Sequence, residues 1–446
     1  MAPARRCAYT VLRRVFEQGA YADRALQSEA RELDARDRAL AMRLAYGAIQ
    51  RRGTLDHLTC RLAGRPAEKL DAPLLAALRL GLYELLYLSG APDRAVVADC
   101  VELAKTEARA GHGLVNAVLR RAAREGATRL LGELRDDTPA HAAIAHSHPE
   151  WIARLWWEEL GAEDARALMA ADNQPGELAL RVNTLRAERA TVARELGALT
   201  HADPELDEAL VLDGPFDLHG STAWDTGAII AQSRAAMLVG CALDPQPGER
   251  VLDLCAAPGG KSTHLAALMG DRGEVLAVER NPARARELRE TARRLHAHSV
   301  RVEVSDAALK RPEGAVFDRV LVDPPCSGLG TLQARADLRW RITPGHVKEL
   351  AGIQAAILAA GAHALRPGGV LVYSTCTISP SENERQIELF LEQNSQFALD
   401  DLCNVRQIHT HPRVPKVLLT MAHRDHTAGF FIARMRRMSE PSPGRL

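Results

Sequence analysis

The sequence predicts an α/β protein, in which a mostly parallel, doubly wound sheet follows an all-α bundle and a small mixed α/β segment. Two observations support this fold class. Apolar residues recur at i, i+3/i+4 and i+7 through residues 1–128, which is typical of helices. From residue 248 onward, five apolar, β-branched runs alternate with helical patterns, which is typical of βαβ units. The 446 residues suffice for about two to four domains.

Residues 1–128 are expected to form a compact helical bundle. The periodicity is clearest in DRALAMRLAYGAIQRR (37–52) and APLLAALRLGLYELLYL (72–88), and stretches that contain Gly or Pro separate such segments. No strand-like alternation interrupts the pattern. A bundle of this kind suits either RNA binding or a role as a docking scaffold, and the periodicity does not distinguish the two.

The next two segments are less regular. Residues 129–145 are polar and rich in Ala and His, which predicts a linker. A helix is then predicted over 147–173, with Pro149 in its first turn. ELALRVNTLRAERATVARELGAL (177–199) predicts a strand, a turn and a helix. We therefore assign residues 146–225 to a small mixed subdomain that binds RNA or connects the larger domains.

Residues 226–438 are predicted to form the main domain. Its five strands are expected in the runs ERVLDLCAA, GEVLAVE, SVRVEVSDA, FDRVLVDPP and GGVLVYSTC. Helical patterns separate most of these runs, so the sheet is expected to be mostly parallel. Ligands of such sheets bind beyond the carboxyl ends of the strands. Residues 439–446 are expected to be a disordered tail.

Composition limits the class of protein. The 57 Lys and Arg balance the 57 Asp and Glu, but residues 1–130 hold 22 basic against 15 acidic residues, and residues 411–437 hold six against one. Nearly all the cations are Arg, which suits bidentate phosphate contacts, although a GC-rich genome would give the same bias. An apolar run of about eighteen residues and a signal-peptide core are both missing, so we expect a cytoplasmic protein with no membrane partner.

The eight cysteines include no C-x-x-C or His-bearing pair, which indicates no metal site, and cytoplasmic thiols stay reduced, which argues against a structural disulfide. Most are expected to be small buried hydrophobes, namely Cys7, Cys60, Cys100, Cys241 and Cys403. Cys326 and Cys376 instead end the fourth and fifth predicted strands, where turns over a ligand cleft carry catalytic groups. In a doubly wound sheet these two ends should lie side by side.

Polar residues also end the first three strands. LDLCAAPGGKSTH (252–264) contains a Pro-Gly-Gly turn that opens a helix, where free N–H groups would face a carboxylate or phosphate. It matches neither the phosphate-loop nor the dinucleotide pattern, which disfavours a nucleoside triphosphate. Glu279 is placed to accept from ribose hydroxyls and Asp306 to read an adenine edge. Each acid alone is better explained as a helix N-cap, but in series they describe a nucleoside pocket.

Three motifs occur in order: CAAPGGK (255–261), DPPCSGLG (323–330), and STC with the following SPSENE (374–384). Together they resemble the cytosine-5 RNA methyltransferases of the RsmB/Sun family. LRVNTLR (180–186) and GFFIARMRR (429–437) are also similar to that family, and the helical N-terminal segment is similar to its NusB-like domain. The resemblance covers essentially the whole chain and implies a Rossmann-like class I methyltransferase domain.

The resemblance implies a role for each site residue. The cofactor S-adenosyl-L-methionine would be held by the turn residues Cys255, Ala256, Ala257, Pro258, Gly259, Gly260 and Lys261. Glu279 would bind its ribose, Asp306 its adenine, and Asp323 would lie beside both the cofactor and the target base. Cys376 would be the nucleophile, and Cys326 would assist product release.

Lys261 would contact the target base or the cofactor, unless a salt bridge occupies it. The sequence departs from the family at three places. Ser233 and Ala428 stand where the family commonly has an acid, and ARAD (334–337) replaces a basic stretch. These changes bear on contacts with RNA rather than on the reaction.

We therefore expect a 16S ribosomal RNA cytosine-C5 methyltransferase that acts through a covalent bond from Cys376 to carbon 6 of the base, with Cys326 assisting release. The chain is expected to act as a monomer on RNA of the small ribosomal subunit. The alternatives are the same reaction on transfer RNA, and a non-catalytic RNA-binding or ribosome-assembly factor with a methyltransferase fold. The intact motifs argue against the latter. DNA cytosine methyltransferases attack with the cysteine of a Pro-Cys motif, so Thr375-Cys376 favours RNA.

Overall fold

The computed structural model describes residues 2–108, 110–197, 200–214, 216–309, 316–402 and 409–439. Cys403 and residues 440–446 lie outside these ranges, so the buried thiol and the disordered tail expected there stay predictions. The chain forms two compact units. Residues 1–175 and 332–341 make up unit 1, and residues 176–331 and 342–446 make up unit 2.

The regular structure of unit 1 is helical. Its α-helices are α1 (Pro3–Gln18), α2 (Ala22–Glu29), α3 (Ala35–Gln50), α4 (Arg52–Ala63), α5 (Ala72–Tyr87), α6 (Asp93–Glu107), α7 (His112–Glu125), α8 (Ala127–Gly132), α9 (Pro139–Ala145), α10 (Glu150–Leu160) and α11 (Ala162–Ala171), and short 3₁₀ helices cover Ala67–Lys69 and Leu338–Trp340. Helix α5 is strongly apolar and buried along nearly its whole length, and it packs against α1, α3, α4, α6 and α7. The predicted helical bundle is therefore built around α5.

Two features of unit 1 differ from the sequence-based expectation. Helix α9 and the end of α8 occupy much of the stretch 129–145, which composition predicted to be a linker. Thr138 caps α9 by accepting a hydrogen bond from the N–H of His141 at 3.2 Å, and Pro139 follows at the first helical position. The helix predicted over 147–173 is interrupted at Gly161, whose φ of 86° separates α10 from α11.

The segment 332–341 folds with unit 1, although the sequence analysis placed it inside the domain 226–438. Arg339 is completely buried and donates hydrogen bonds to four oxygens, which are the carbonyl oxygens of Ser147, Asp172 and Leu332 and Oδ1 of Asn173. Trp340 Nε1 donates to the carbonyl of Ile49 at 2.7 Å. Periodicity cannot assign so short a segment to one core or another, because the assignment depends on these long-range contacts.

The first part of unit 2 is a four-stranded antiparallel sheet with strand order β2-β3-β1-β4. Its elements are β1 (Ala179–Val182), α12 (Arg189–Glu195), β2 (Thr200–Ala202), β3 (Ala209–Leu212), α13 (Thr222–Asp225) and β4 (Ile229–Ala231). The strand and the helix predicted over 177–199 correspond to β1 and α12. Their apolar side chains form a small core that includes Leu180, Val192 and Ile229.

The second part of unit 2 is the large sheet. Its elements are α14 (Arg234–Leu243), β5 (Arg250–Leu254), α15 (Gly260–Leu268), β6 (Glu274–Val278), α16 (Pro282–Arg294), β7 (Val300–Glu303), β8 (Phe317–Val322), α17 (Pro344–Ala364), β9 (Leu365–Thr375), α18 (Glu384–Gln393), β10 (Phe397–Leu399), β11 (Leu418–Leu419), α19 (Ala422–Asp425) and β12 (Phe431–Arg437).

The strand order of this sheet is β10-β12-β9-β8-β5-β6-β7, and β11 pairs with β12. The five predicted strands are β5 to β9, and they are parallel to one another. Strand β12 is antiparallel to β9. The predicted α/β class, with a mostly parallel Rossmann-like sheet after a helical region, is confirmed.

A helix that crosses a bilayer must be long and apolar. None of the helices in the described ranges combines that length with that apolarity.

Candidate active site

The turn after β5 has a backbone shape that requires glycine at one position. Gly259 has a φ of 102°, and a Cβ placed on it would lie 3.2 Å from Cγ of Leu288. Helix α15 begins at the next residue, Gly260, so its free N–H groups face the end of the sheet. The nearest atoms to a Cβ on Gly260 would be those of Gln232, at 3.9 Å. The predicted turn is therefore a cradle with space above its backbone.

Gln232 is a residue of this site that the sequence analysis missed. Its side chain is buried, and its Oε1 and Nε2 have no hydrogen-bond partner among the described residues. A buried amide without partners is costly unless a ligand or water satisfies it. Its position directly before Ser233, whose Oγ caps α14, gave no signal of this from the sequence alone.

Glu279 and Asp306 follow β6 and β7, as predicted. Glu279 is nearly buried, and its Oε1 accepts a hydrogen bond from the N–H of Asn281 at 2.7 Å. The N-cap of α16 is Asn281, so the alternative interpretation of Glu279 as a helix cap is wrong. Asp306 is exposed, and its Oδ1 accepts from the N–H of Ala308 at 2.9 Å.

Asp323 follows β8 and holds two neighbouring side chains. Lys261 Nζ donates to its Oδ2 at 2.7 Å, and Ser374 Oγ donates to its Oδ1 at 3.0 Å. Burial alone would lower the pKa of Lys261, but the charge of Asp323 and the hydrogen bond to it raise that pKa above its ordinary value. Lys261 also lies 5.1 Å from the centre of the Phe430 ring. The salt bridge expected for Lys261 is therefore present.

A second carboxyl group, Asp253, lies in β5 and was not singled out from the sequence. It is completely buried, Ser262 Oγ donates to its Oδ2 at 2.6 Å, and its Oδ1 has no partner among the described residues. Burial raises the pKa of Asp253 to about 7, opposed by the bond from Ser262 and aided by the charge of Asp323. The sequence analysis included Asp253 only as part of the predicted strand ERVLDLCAA.

The two candidate catalytic thiols are in contact. Cys326 Sγ lies 3.3 Å from Cys376 Sγ, and both residues are half-buried. Their adjacency follows from the sheet, because Cys376 follows β9 directly and Cys326 lies four residues beyond its neighbour β8. The bond to Cys376 and burial raise the pKa of Cys326 well above its ordinary value, so Cys326 is a thiol at neutral pH.

The other described cysteines have different surroundings. Cys7 and Cys100 are buried in unit 1, whereas Cys60 and Cys241 are half-buried, and none of the four forms a disulfide. Burial raises the pKa of Cys255, in the turn after β5, to about 12. Cys255 therefore stays protonated.

Comparisons with known proteins cover nearly the whole chain. A family described as 16S rRNA methyltransferase RsmB/F matches residues 240–436, the NusB family matches residues 2–124, and an RsmF/B-like ferredoxin-like domain matches residues 148–219. A probable ribosomal RNA small subunit methyltransferase B of Synechocystis is 36% identical over 98% of this chain and 100% of that protein. Its counterpart in Bacillus subtilis is 34% identical over 96% of this chain and 98% of that protein.

Solved structures are similar as well. The crystal structure of PH0851 has a TM-score of 0.81 and 26% identity, and the match covers 98% of each chain. A methyltransferase homolog from Pyrococcus horikoshii has a TM-score of 0.59 and 29% identity, over 68% of this chain and 99% of that one.

Proposed function

The chain belongs to the RsmB/F family of 16S ribosomal RNA methyltransferases, and from that premise we propose that it methylates carbon 5 of one cytosine in small-subunit ribosomal RNA. The methyl donor of this proposed reaction is S-adenosyl-L-methionine. The single observation that supports the chemistry best is the contact of the Cys326 and Cys376 thiols, which form no disulfide, beside the Lys261–Asp323 ion pair.

The turn after β5 fits the proposed cofactor. When bound, S-adenosyl-L-methionine supplies an electrophilic methyl group on a sulfonium. The backbone of residues 255–261 would hold its methionine part, and the unpartnered amide of Gln232 supports a polar ligand there. Oε1 of Glu279 accepts from the N–H of Asn281 and Oε2 lies 3.6 Å from Nη1 of Arg284, and a carboxylate with these partners has lone pairs left for two ribose hydroxyls. Asp306, exposed after β7, would meet the adenine.

We assign the nucleophile to Cys376. Carbon 5 of cytosine is a poor nucleophile, and a thiolate that bonds to carbon 6 pushes the electrons of the 5,6 double bond onto carbon 5. The ammonium of Lys261 interacts electrostatically with Cys376 and so favours its thiolate. Asp323, fixed by Lys261 and Ser374, would lie beside the base and accept a hydrogen bond from its edge.

The pKa of Cys326 suggests why it acts late. Before attack, the bond to Cys376 is the largest cause that raises the pKa of Cys326 and keeps it protonated. Once Cys376 Sγ is bonded to carbon 6, that negative partner is gone, so the pKa of Cys326 should fall and its proton can leave to solvent. After carbon 5 has taken the methyl group from the sulfonium and the thioether has left, the Cys326 thiolate would remove the proton from carbon 5, the 5,6 double bond would reform, and Cys376 would depart as a thiolate.

Loss of this protein should remove one 5-methylcytosine from 16S ribosomal RNA. Bisulfite sequencing of RNA from a strain lacking the gene should show one cytosine newly converted, and the wild-type gene should restore protection. Restoration should fail with the Cys376→Ala gene. If every 5-methylcytosine of the small subunit persists in the deletion strain, the proposed substrate is wrong; conversion of a transfer RNA position instead would favour the transfer RNA alternative.

Glu279→Ala should weaken the binding of S-adenosyl-L-methionine by about 1.5–3 kcal/mol, because a charge-assisted hydrogen bond to the ribose is lost. Isothermal titration calorimetry on the full chain measures this. Glu274→Ala is the matched control. Glu274 is the first residue of strand β6, whereas Glu279 directly follows the last, and Glu274 pairs with Arg250. Equal cofactor affinities for both variants would contradict the assignment of Glu279 to the ribose.

A further inference from the structure

One chain of buried hydrogen bonds joins the two cysteine turns. Thr377, the residue after Cys376, has its Oγ1 2.6 Å from Oγ of Ser327, the residue after Cys326. Ser327 donates its own O–H to Glu382 Oε2 at 2.5 Å, which makes the Thr377 hydroxyl the donor to Ser327. These hydrogen bonds thus connect Thr377 to Ser327 and Ser327 to the carboxylate of Glu382.

The carboxylate of Glu382 is fully buried and well satisfied. Its Oε1 accepts hydrogen bonds from the N–H of Ser327 at 2.8 Å and from Gln354 Nε2 at 3.0 Å. Gln354 Nε2 also lies 2.9 Å from the carbonyl oxygen of Pro325, directly before the cysteine of that turn. Burying a carboxylate is unfavourable unless donors surround it, so these donors are held in place around Glu382.

Asn383 holds the turn of Cys376 from both sides. Its Oδ1 accepts a hydrogen bond from Thr375 Oγ1 at 2.5 Å, and its Nδ2 donates to the carbonyl of Thr377 at 3.0 Å. Thr375, Thr377 and Asn383 are all buried. The two residues that flank Cys376 are therefore fixed to one side chain, which is the neighbour of Glu382 in sequence.

We propose that Glu382 and Asn383 are positioning residues that set the separation of the Cys326 and Cys376 thiols. They act through Ser327 and Thr377, the residues next to the thiols. The consequence for catalysis rests on the proposed function, because that reaction uses both thiols in turn, Cys376 for attack and Cys326 for release. The consequence for the distance between the sulfurs does not depend on it.

The oxidation of the two thiols to a disulfide measures their separation without RNA or cofactor. Hydrogen peroxide takes two electrons and two protons from Cys326 and Cys376, an S–S bond forms between them, and two waters are released. Thr377→Val removes the hydroxyl that bonds Ser327 at nearly constant shape, and Asn383→Asp replaces the donor to the Thr377 carbonyl with an oxygen. Both variants should form the disulfide at least about tenfold more slowly than wild type, as followed by mass spectrometry of the linked peptides.

A matched control and a rescue variant separate positioning from a general loss of stability. Thr427 is a buried threonine of the same unit whose Oγ1 donates to Glu177 at 2.6 Å and accepts from the N–H of Ala235 at 3.2 Å, so Thr427→Val loses hydrogen bonds that involve neither cysteine turn. It should oxidise at the wild-type rate. Thr377→Ser keeps the hydroxyl and should restore the rate that Thr377→Val loses.

Methyl transfer gives the second readout. We expect kcat of Thr377→Val to fall by about 10–100-fold, with the KM for S-adenosyl-L-methionine unchanged, since displacement of a reacting group by about 1 Å has effects of this size. Wild-type rates of disulfide formation in both Thr377→Val and Asn383→Asp would overturn the positioning role. A different result would separate the two proposals. If disulfide formation slows in the variants, but neither the wild-type protein nor any variant methylates RNA or forms a covalent bond to it, the positioning role stands and the proposed reaction fails.

Discussion

Cys376→Ala is expected to abolish methyl transfer, with kcat lower by roughly 10⁴–10⁶-fold, the range found when other enzymes lose a catalytic group of this kind. Without a bond to carbon 6, carbon 5 of the cytosine stays too weak a nucleophile to take the methyl group. The variant should bind S-adenosyl-L-methionine as tightly as wild type, because the turn 255–261 is untouched. Transfer of a labelled methyl group to unmodified small-subunit RNA measures the loss.

The control for this loss is Cys241→Ala. Cys241 is another half-buried cysteine of unit 2 that forms no disulfide, and the proposed reaction does not use it. Its variant should keep near-normal turnover. Near-normal methylation by Cys376→Ala would exclude Cys376 as the nucleophile and leave both cysteines of the contact as core residues.

Cys326→Ala is expected to methylate its RNA once and then stall. Of the two cysteines, only Cys376 is needed for attack and methyl transfer. Without Cys326, no group accepts the proton on carbon 5, so the covalent bond between protein and RNA persists. A protein–RNA species that survives denaturing electrophoresis should accumulate, and it should require S-adenosyl-L-methionine. The turnover rate should fall by about 10²–10⁴-fold, the usual contribution of a general acid or base.

The double variant Cys326→Ala/Cys376→Ala checks that the covalent species of Cys326→Ala depends on Cys376. Loss of the nucleophile should override the stalled release, so this protein should form no covalent species. If the roles are reversed, the covalent species will appear in Cys376→Ala and vanish in Cys326→Ala. The 3.3 Å contact between the sulfurs is compatible with either cysteine as the nucleophile. The two single variants distinguish these assignments.

The adjacency of the two candidate catalytic thiols could be predicted from the sequence because a doubly wound parallel sheet places the ends of its fourth and fifth strands side by side. Strands β8 and β9 are neighbours, so the residues that follow them meet at one edge. The same argument placed Glu279 and the turn 255–261. It uses only periodicity and the residue at each strand end, both of which are local properties of the chain.

Residues whose role depends on long-range burial could not be found in this way. Asp253 and Gln232 carry unpartnered buried atoms, and that property appears only when the surrounding side chains are in place. Glu382 stands in the motif SPSENE, but the motif does not show that its carboxylate bonds Ser327, which lies 55 residues away in sequence. The assignment of the segment 332–341 to unit 1 could not be predicted for the same reason.

The discontinuity of unit 1 has a consequence for biosynthesis. Residues 1–175 leave the ribosome well before residues 332–341, and at about 5–20 residues per second the delay is roughly 8–30 s. Throughout that interval the nascent helical unit lacks Arg339, so the carbonyls of Ser147 and Asp172 lack the donor that the finished unit gives them. Ribosomes that stop before residue 332 therefore release a helical unit that lacks these hydrogen bonds, and such products should be preferred substrates for chaperones and proteases.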